Sequence, residues 1–298
     1  LGYDDDSLLT SVGGFTITTP GGPVQLGDDS LCATCEMRIS GSELQNITAG
    51  TLTINSATQI YVDGVTAAES INIGTLALNT DTYILFRSSA STFNALTASA
   101  KSDLYVYADL TTTNGDMVLS ADTDASGGAD KMYFRFNSSL DSAGDITLSA
   151  SSNGGGIDIN GSVVMDSVGA ITLNDYFVSS GDATLTGAGG INVNGDFTAG
   201  GNATLSSSGN INVAGDLTST NDLIFSGTGT ASFVDGATIT STSGLLSLNN
   251  VSAAGAITLS AASGVTLGGD FTSNGLTTIF ADTDSFGVGA FTVTSGST

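Results

Sequence analysis

Gly181-Asp182-Ala183-Thr184-Leu185 returns twenty positions later as Gly201-Asn202-Ala203-Thr204-Leu205. At the same step, Gly190-Ile191-Asn192-Val193-Asn194-Gly195-Asp196-Phe197-Thr198 returns as Asn210-Ile211-Asn212-Val213-Ala214-Gly215-Asp216-Leu217-Thr218. Weaker copies lie at Gly144–Leu148, Gly169–Leu173 and Gly255–Leu259, and Gly264–Thr272 follows the second motif closely. Ala49–Ile54 and Ile73–Leu78 carry a looser form. Within a unit, apolar and small polar residues alternate, as in Ile191-Asn192-Val193, Ile157-Asp158-Ile159 and Leu246-Ser247-Leu248. A period of two marks a strand with one buried face. Gly-Asp, Asn-Gly and Ser-Gly pairs interrupt the strands as turns do. No segment carries a helical stripe, and the strong helix formers Glu, Lys and Gln are scarce.

A repeat of this length with two or three short strands is too short for a propeller blade and suits one coil of a parallel β-helix. The expected fold is therefore all-β: a right-handed parallel β-helix (β-solenoid) with coils of about 20 residues. Stacking then sets Thr184 near Thr204, Ile191 near Ile211 and Phe197 near Leu217, about 4.8 Å apart. Roughly 15 such coils make a rod on the order of 70 Å long. An antiparallel sandwich, the competing fold, needs no constant spacing. Residues 1–40 are expected to be an irregular N-terminal segment or the start of the solenoid. The β-helix repeats are expected over 41–298, looser in 41–143 and regular in 144–298.

The segments Gly144–Ala150, Gly169–Leu173 and Gly190–Ala199 resemble the haemagglutinin-repeat β-helices of filamentous-haemagglutinin-like exoproteins. The likeness is good over roughly 140–298 and loose over 40–140. That family comprises large bacterial surface adhesins and filament-forming proteins. The resemblance implies an extracellular, cell-surface location. Residues 1–40 show no counterpart of the secretion domain that opens two-partner-secreted adhesins. The chain begins at Leu1 and closes on Ser295-Gly296-Ser297-Thr298, so a processed product or a window from a longer chain is expected.

Composition removes several function classes. The 298 residues include 29 Asp and Glu, 5 Lys and Arg and no His, for a net charge of −24. Nucleic acid is excluded as a partner because a phosphate backbone needs clustered cations. An anionic membrane surface is disfavoured by the same charge, and no stretch approaches 18 apolar residues, so membrane insertion is not expected. Without His, imidazole chemistry is gone. Lyase chemistry on acidic polysaccharides needs a cation beside calcium-holding carboxylates, but Arg38, Arg87, Lys101, Lys131 and Arg135 are scattered. No cluster of two or three Asp marks an inverting hydrolase site. The chain is not expected to be an enzyme.

The remaining candidates are small. Cys32 and Cys35 form a lone C-x-x-C that lacks the second pair a zinc site needs. A local disulfide is expected, with an intermolecular bridge as the alternative. Asp122, Asp124 and Asp130 surround a Gly turn, and Asp282-Thr283-Asp284 repeats its opening. Such a D-x-D-x-x-G loop begins a calcium shell, which makes calcium the one candidate cofactor; a solvated acidic turn is the plainer reading. Asp4-Asp5-Asp6 and Asp28-Asp29 read as solvated loops. Asn46, Asn137, Asn160, Asn202 and Asn250 stand in glycosylation acceptors. The T-x-T units at Thr16, Thr51 and Thr238 do not recur in every coil as an ice-binding face requires. Tyr83, Phe86, Tyr105 and Tyr107 are expected to stack in the core, with an exposed contact patch as the alternative.

The leading functional expectation is a non-enzymatic extracellular rod, one segment of a large adhesin or a subunit of a surface filament. Its partner would be itself, end to end or laterally, because β-helix ends leave backbone groups unpaired. The alternative is an adhesive module binding host or cell-surface glycans or proteins through one face. A polysaccharide-cleaving β-helix is the remote third.

Overall fold

The computed structural model describes residues 8–27, 32, 34–125, 130–150 and 155–294. Asp4-Asp5-Asp6, Asp28-Asp29, Gly127-Gly128 and Ser295–Thr298 lie outside the described residues. The chain divides into two compact units, Leu1–Ile157 and Asp158–Thr298, and each is a stack of three parallel sheets.

In the second unit the first sheet contains Ala170–Leu173, Gly190–Val193, Ile211–Val213, Thr230–Phe233, Asn250–Ala253 and Phe271–Ser273 in that order. The second runs from Phe177–Ser179 through Phe197–Ala199 and Leu217–Ser219 to Thr277–Phe280. The third runs from Val163–Ser167 through Ala183–Gly187 and Ala203–Ser207 to Phe291–Val293. Every strand therefore pairs with its counterpart one coil away, and the fold is a parallel β-helix. The registers are those the repeat implies: Thr184 opposite Thr204, Ile191 opposite Ile211, Phe197 opposite Leu217.

Alternation puts Ile191, Val193, Phe197, Leu205 and Leu217 inside, each 3% exposed or less, and leaves Asn192 and Thr198 outside. Like stacks on like: the rings of Phe177 and Phe197 lie parallel with centroids 4.6 Å apart. Where strands end, buried serines turn their hydroxyls onto turn carbonyls that would otherwise be orphaned. Ser179 donates to Gly161 O at 2.8 Å and Ser219 to Asn221 O at 2.8 Å.

The outer corners are built from the Gly-Asp pairs. Asp196 Oδ1 accepts the N–H of Asp216 at 2.9 Å, and Asp216 Oδ1 accepts that of Thr238 at 2.8 Å. Asp182 Oδ1 does the same for Asn202 at 2.7 Å. Charge-assisted bonds of this kind are roughly twice as strong as neutral ones. The partnering glycine is steric: a Cβ on Gly215 would stand 2.6 Å from Gly195 O in the neighbouring corner.

The first unit repeats this plan with longer corners. Its first sheet runs Leu9–Thr19, Ile47–Ser56, Ile73–Thr80, Leu96–Ala100, Met117–Ser120, Ile146–Ser149. Its second contains Met37–Ser40, Val24–Gly27, Ile60–Asp63, Ile84–Phe86, Leu104–Val106 and Met132–Arg135. Its third holds Ser91–Phe93, Leu110–Thr112 and Ser138–Ser142. The coil step is not constant. Leu76 pairs with Leu96, but Leu104 pairs with Met132 and Leu110 with Leu140, because insertions loop out at the corners.

Two one-turn helices, Gly41–Gln45 and Ala67–Ser70, stand at the head of the third sheet. Capping boxes start both, Ser40 with Glu43 and Thr66 with Glu69. Ser70 Oγ donates to Thr92 O at 2.8 Å and ties the second helix to the first strand below it.

The alternation makes a sharp test. Phe197→Ala is expected to cost about 3–5 kcal/mol, whereas Thr198→Ala, one residue on and pointing outward, should cost under about 0.5 kcal/mol. Chemical denaturation of the two variants checks it, and equal losses would mean that the inward register is misassigned.

Candidate binding face

In the first unit, the second sheet places an unusual set of side chains outside. Ile60, Val62, Ile84, Phe86, Leu104, Val106, Met132 and Phe134 point inward and are at most 1% exposed. The residues between them point outward, and the register aligns Tyr61, Leu85, Tyr105 and Tyr133 on consecutive strands. Tyr83 and Tyr107 flank this row at the strand ends. Of the four residues expected in the core, only Phe86 is there. Tyr83, Tyr105 and Tyr107 are half-buried on the outer surface, because a period of two gives them the opposite parity to Ile84, Phe86, Leu104 and Val106.

The tyrosines touch edge to face. Centroids are 6.1 Å apart for Tyr61–Tyr83, 5.7 Å for Tyr83–Tyr105, 5.8 Å for Tyr105–Tyr107 and 6.3 Å for Tyr107–Tyr133. The Tyr61 and Tyr83 hydroxyls share a 2.9 Å hydrogen bond, and Tyr105 donates to Asp103 Oδ2 at 2.8 Å. Arg87 lies 5.1 Å above the Tyr61 ring, with Nε 3.9 Å from the buried Asp63. Arg135 lies 5.4 Å from the Tyr107 ring and 4.8 Å from that of Phe136, which is 62% exposed. Burial first, then the Tyr61 hydrogen bond, pushes the Tyr83 phenol up to about 12. Burial first, then Asp103, raises Tyr105 further, and burial also raises Tyr107.

A shallow groove of about 330 Å³, lined mostly by Thr, Ser and Asn with Pro20 and Ala57 among them, adjoins the ladder. Its floor is an outward row of the first sheet: Thr18, Asn55, Asn79 and Ser99, in register. Asn79 Nδ2 donates to Asn55 Oδ1 at 3.0 Å, continuing a side-chain amide ladder. The ion pair Lys101–Asp81, at 2.5 Å, stands at the corner where this sheet turns toward the tyrosines. Asp81 is two residues from Tyr83, so at most about 7 Å separates their Cα atoms.

The other sequence candidates fall elsewhere. Cys32 and Cys35 are joined to each other, leaving no free cysteine among the described residues. Asp122 is 2% exposed, and neither of its carboxylate oxygens has a hydrogen-bond partner among the described residues. Asp124 is exposed and Asp130 half-buried, its carboxyl raised by burial and then by the charges of Asp103, Asp122 and Asp124. Among the described residues no three acidic, Cys or His side chains are grouped to hold a metal ion. In the second such loop, Asp282 and Asp284 accept the amides of Gly287 and Phe286, both at 3.1 Å.

Of the acceptor asparagines, Asn137, Asn160 and Asn202 are exposed, while Asn46 and Asn250 are half-buried. Asn202 and Asn250 serve as corner acceptors for Asp222 and Asp270. All five basic residues precede residue 136. The stack through Thr184 and Thr204 gives way to Ile224 in the next coil. No helix among the described residues is long and apolar enough to cross a membrane.

The family model described as the haemagglutinin repeat matches residues 39–150. The match falls on the less regular stretch that carries the tyrosine ladder and groove, rather than on the regular repeats after residue 150. No curated protein and no solved structure matches the chain.

The raised phenols carry a pH prediction. A phenol whose pKa is raised on folding stabilises the fold fully below about pH 10 and loses that contribution as the pH climbs through its folded value. Stability is therefore expected to fall from about pH 10 upward, toward about 12 for Tyr83. In an ultraviolet titration Tyr83, Tyr105 and Tyr107 should ionise late, together with unfolding. Ionisation of every tyrosine near pH 10 with the fold intact would contradict the packed ladder.

Proposed function

We propose that this chain is a stretch of a filamentous-haemagglutinin-like surface adhesin, secreted and non-enzymatic, whose β-helix is a structural scaffold carrying contact surfaces on its outer faces. The observation that carries this reading is the haemagglutinin-repeat match over residues 39–150, on a chain whose inward apolar residues stack coil upon coil. Its few cations support it further. Lys101 is tied to Asp81, and Arg87 and Arg135 lie over tyrosine rings, so each is engaged in a surface contact. Beads coated with the purified chain should retain cells from a panel of cultured animal and bacterial lines, saturably and in competition with soluble chain. The same preparation should leave neutral and acidic polysaccharides intact with calcium present. Retention equal to that of uncoated beads, or cleavage of a polysaccharide, would sink the reading.

A further inference from the structure

We infer that the outer side of the first unit, where the Asn55–Asn79–Ser99 row meets the tyrosine ladder, binds an uncharged oligosaccharide. The inference deepens the adhesin reading and rests on it for the partner being a surface glycan; the chemistry of the site rests on its own residues.

Two adjoining surfaces offer the two halves of what a sugar ring presents. A pyranose has apolar C–H faces and a rim of hydroxyls that each donate and accept. The tyrosines form a rigid, amphipathic strip in which contact area comes at low entropic cost, since each side chain has two rotatable angles. Their packing into one another holds them in place before a ligand arrives. Beside them, the Asn55–Asn79 amides spend one N–H each on the ladder, and each amide carries a second N–H. Ser99 and the exposed Thr123 add hydroxyls at the groove. The Lys101–Asp81 pair supplies a charged donor next to a charged acceptor, both about half exposed. Vicinal hydroxyls match that pairing, one accepting from the ammonium and the other donating to the carboxylate.

The groove volume sits at the small end of the range for small-ligand sites, about 300–1,000 Å³. That suits one or two sugar rings with the rest of the glycan lying along the open ladder.

Charge selects against the other occupants. The groove's own two charges cancel, and the chain as a whole carries −24, so an acidic polysaccharide or nucleic acid gains nothing by approaching. An apolar peptide would leave the Asn and Ser groups of the groove floor desolvated and unpaired, at about 1–3 kcal/mol each.

The test is a glycan array probed with the full chain, followed by calorimetric titration of the best-bound neutral oligosaccharide. Asn79→Ala and Tyr133→Ser, each outward-facing, should weaken binding at least tenfold while melting temperature and circular dichroism stay near wild type. Thr198→Ala, on the second unit, should change nothing. Binding confined to acidic glycans, no neutral hit, or a neutral hit unaffected by both variants would overturn the assignment. If either variant unfolds the first unit, Lys101→Gln, at an exposed position, replaces it with the same expected loss. Cell retention by beads that persists with no glycan bound would refute this site alone, whereas loss of retention would refute the adhesin reading.

Discussion

A parallel hydrogen-bonded pairing between successive coils holds each residue about 4.8 Å from its counterpart, and the rest of the molecule answers to that constraint. Once Ile191 must lie on Ile211 and Phe197 on Leu217, the interior can hold only columns of mutually tolerant side chains. The parallel rings of Phe177 and Phe197 show such a column. Buried serines belong to the same logic: a hydroxyl at the inner end of a strand closes turn carbonyls that no neighbouring strand can reach.

The constraint also explains the acidity. Corners cannot continue the sheet ladder, so their amides need acceptors from elsewhere, and Asp196, Asp216, Asp182 and Asp222 supply them across the coil step. A carboxylate accepts from an amide without bringing a donor that would need its own partner. Much of the negative charge is thus structural, distributed along the outer corners. Asp122 departs from this pattern, being buried with both oxygens unpartnered among the described residues.

Outward positions are free of the stacking rule, and function has its room there. In the second unit most are Thr, Asn and Ser; in the first, one sheet carries tyrosines with Arg87 and Arg135 laid over them, next to the amide-lined groove. Exposed Arg135, laid over the Tyr107 ring, leaves its guanidinium edge available for hydrogen bonding. The haemagglutinin-repeat match falls on the unit that carries this tyrosine surface.

Read alone, the sequence determined the strand period, the all-β class and the register of the regular coils, because twenty-residue spacing and alternation are local patterns that any parallel stack must display. It also carried Ser40-x-x-Glu43 and Thr66-x-x-Glu69, the capping boxes of two helices too short to leave a stripe. Tertiary structure alone decided which side of the coil a motif occupies. The closely similar strands Ala170–Leu173, Ala183–Gly187 and Ile257–Ala261 lie in three different sheets. Each strand-and-turn unit is locally equivalent, so its sheet depends on how many corners precede it. Corner length was equally hidden, as in the long step from Asp103 to Lys131. The parity of the tyrosine strands was less plain: Tyr83 and Leu85 are large side chains with apolar bodies, as Ile84 and Phe86 are, and the neighbouring strands, with Ile60, Val62, Leu104 and Val106 inside, settle which pair faces the core.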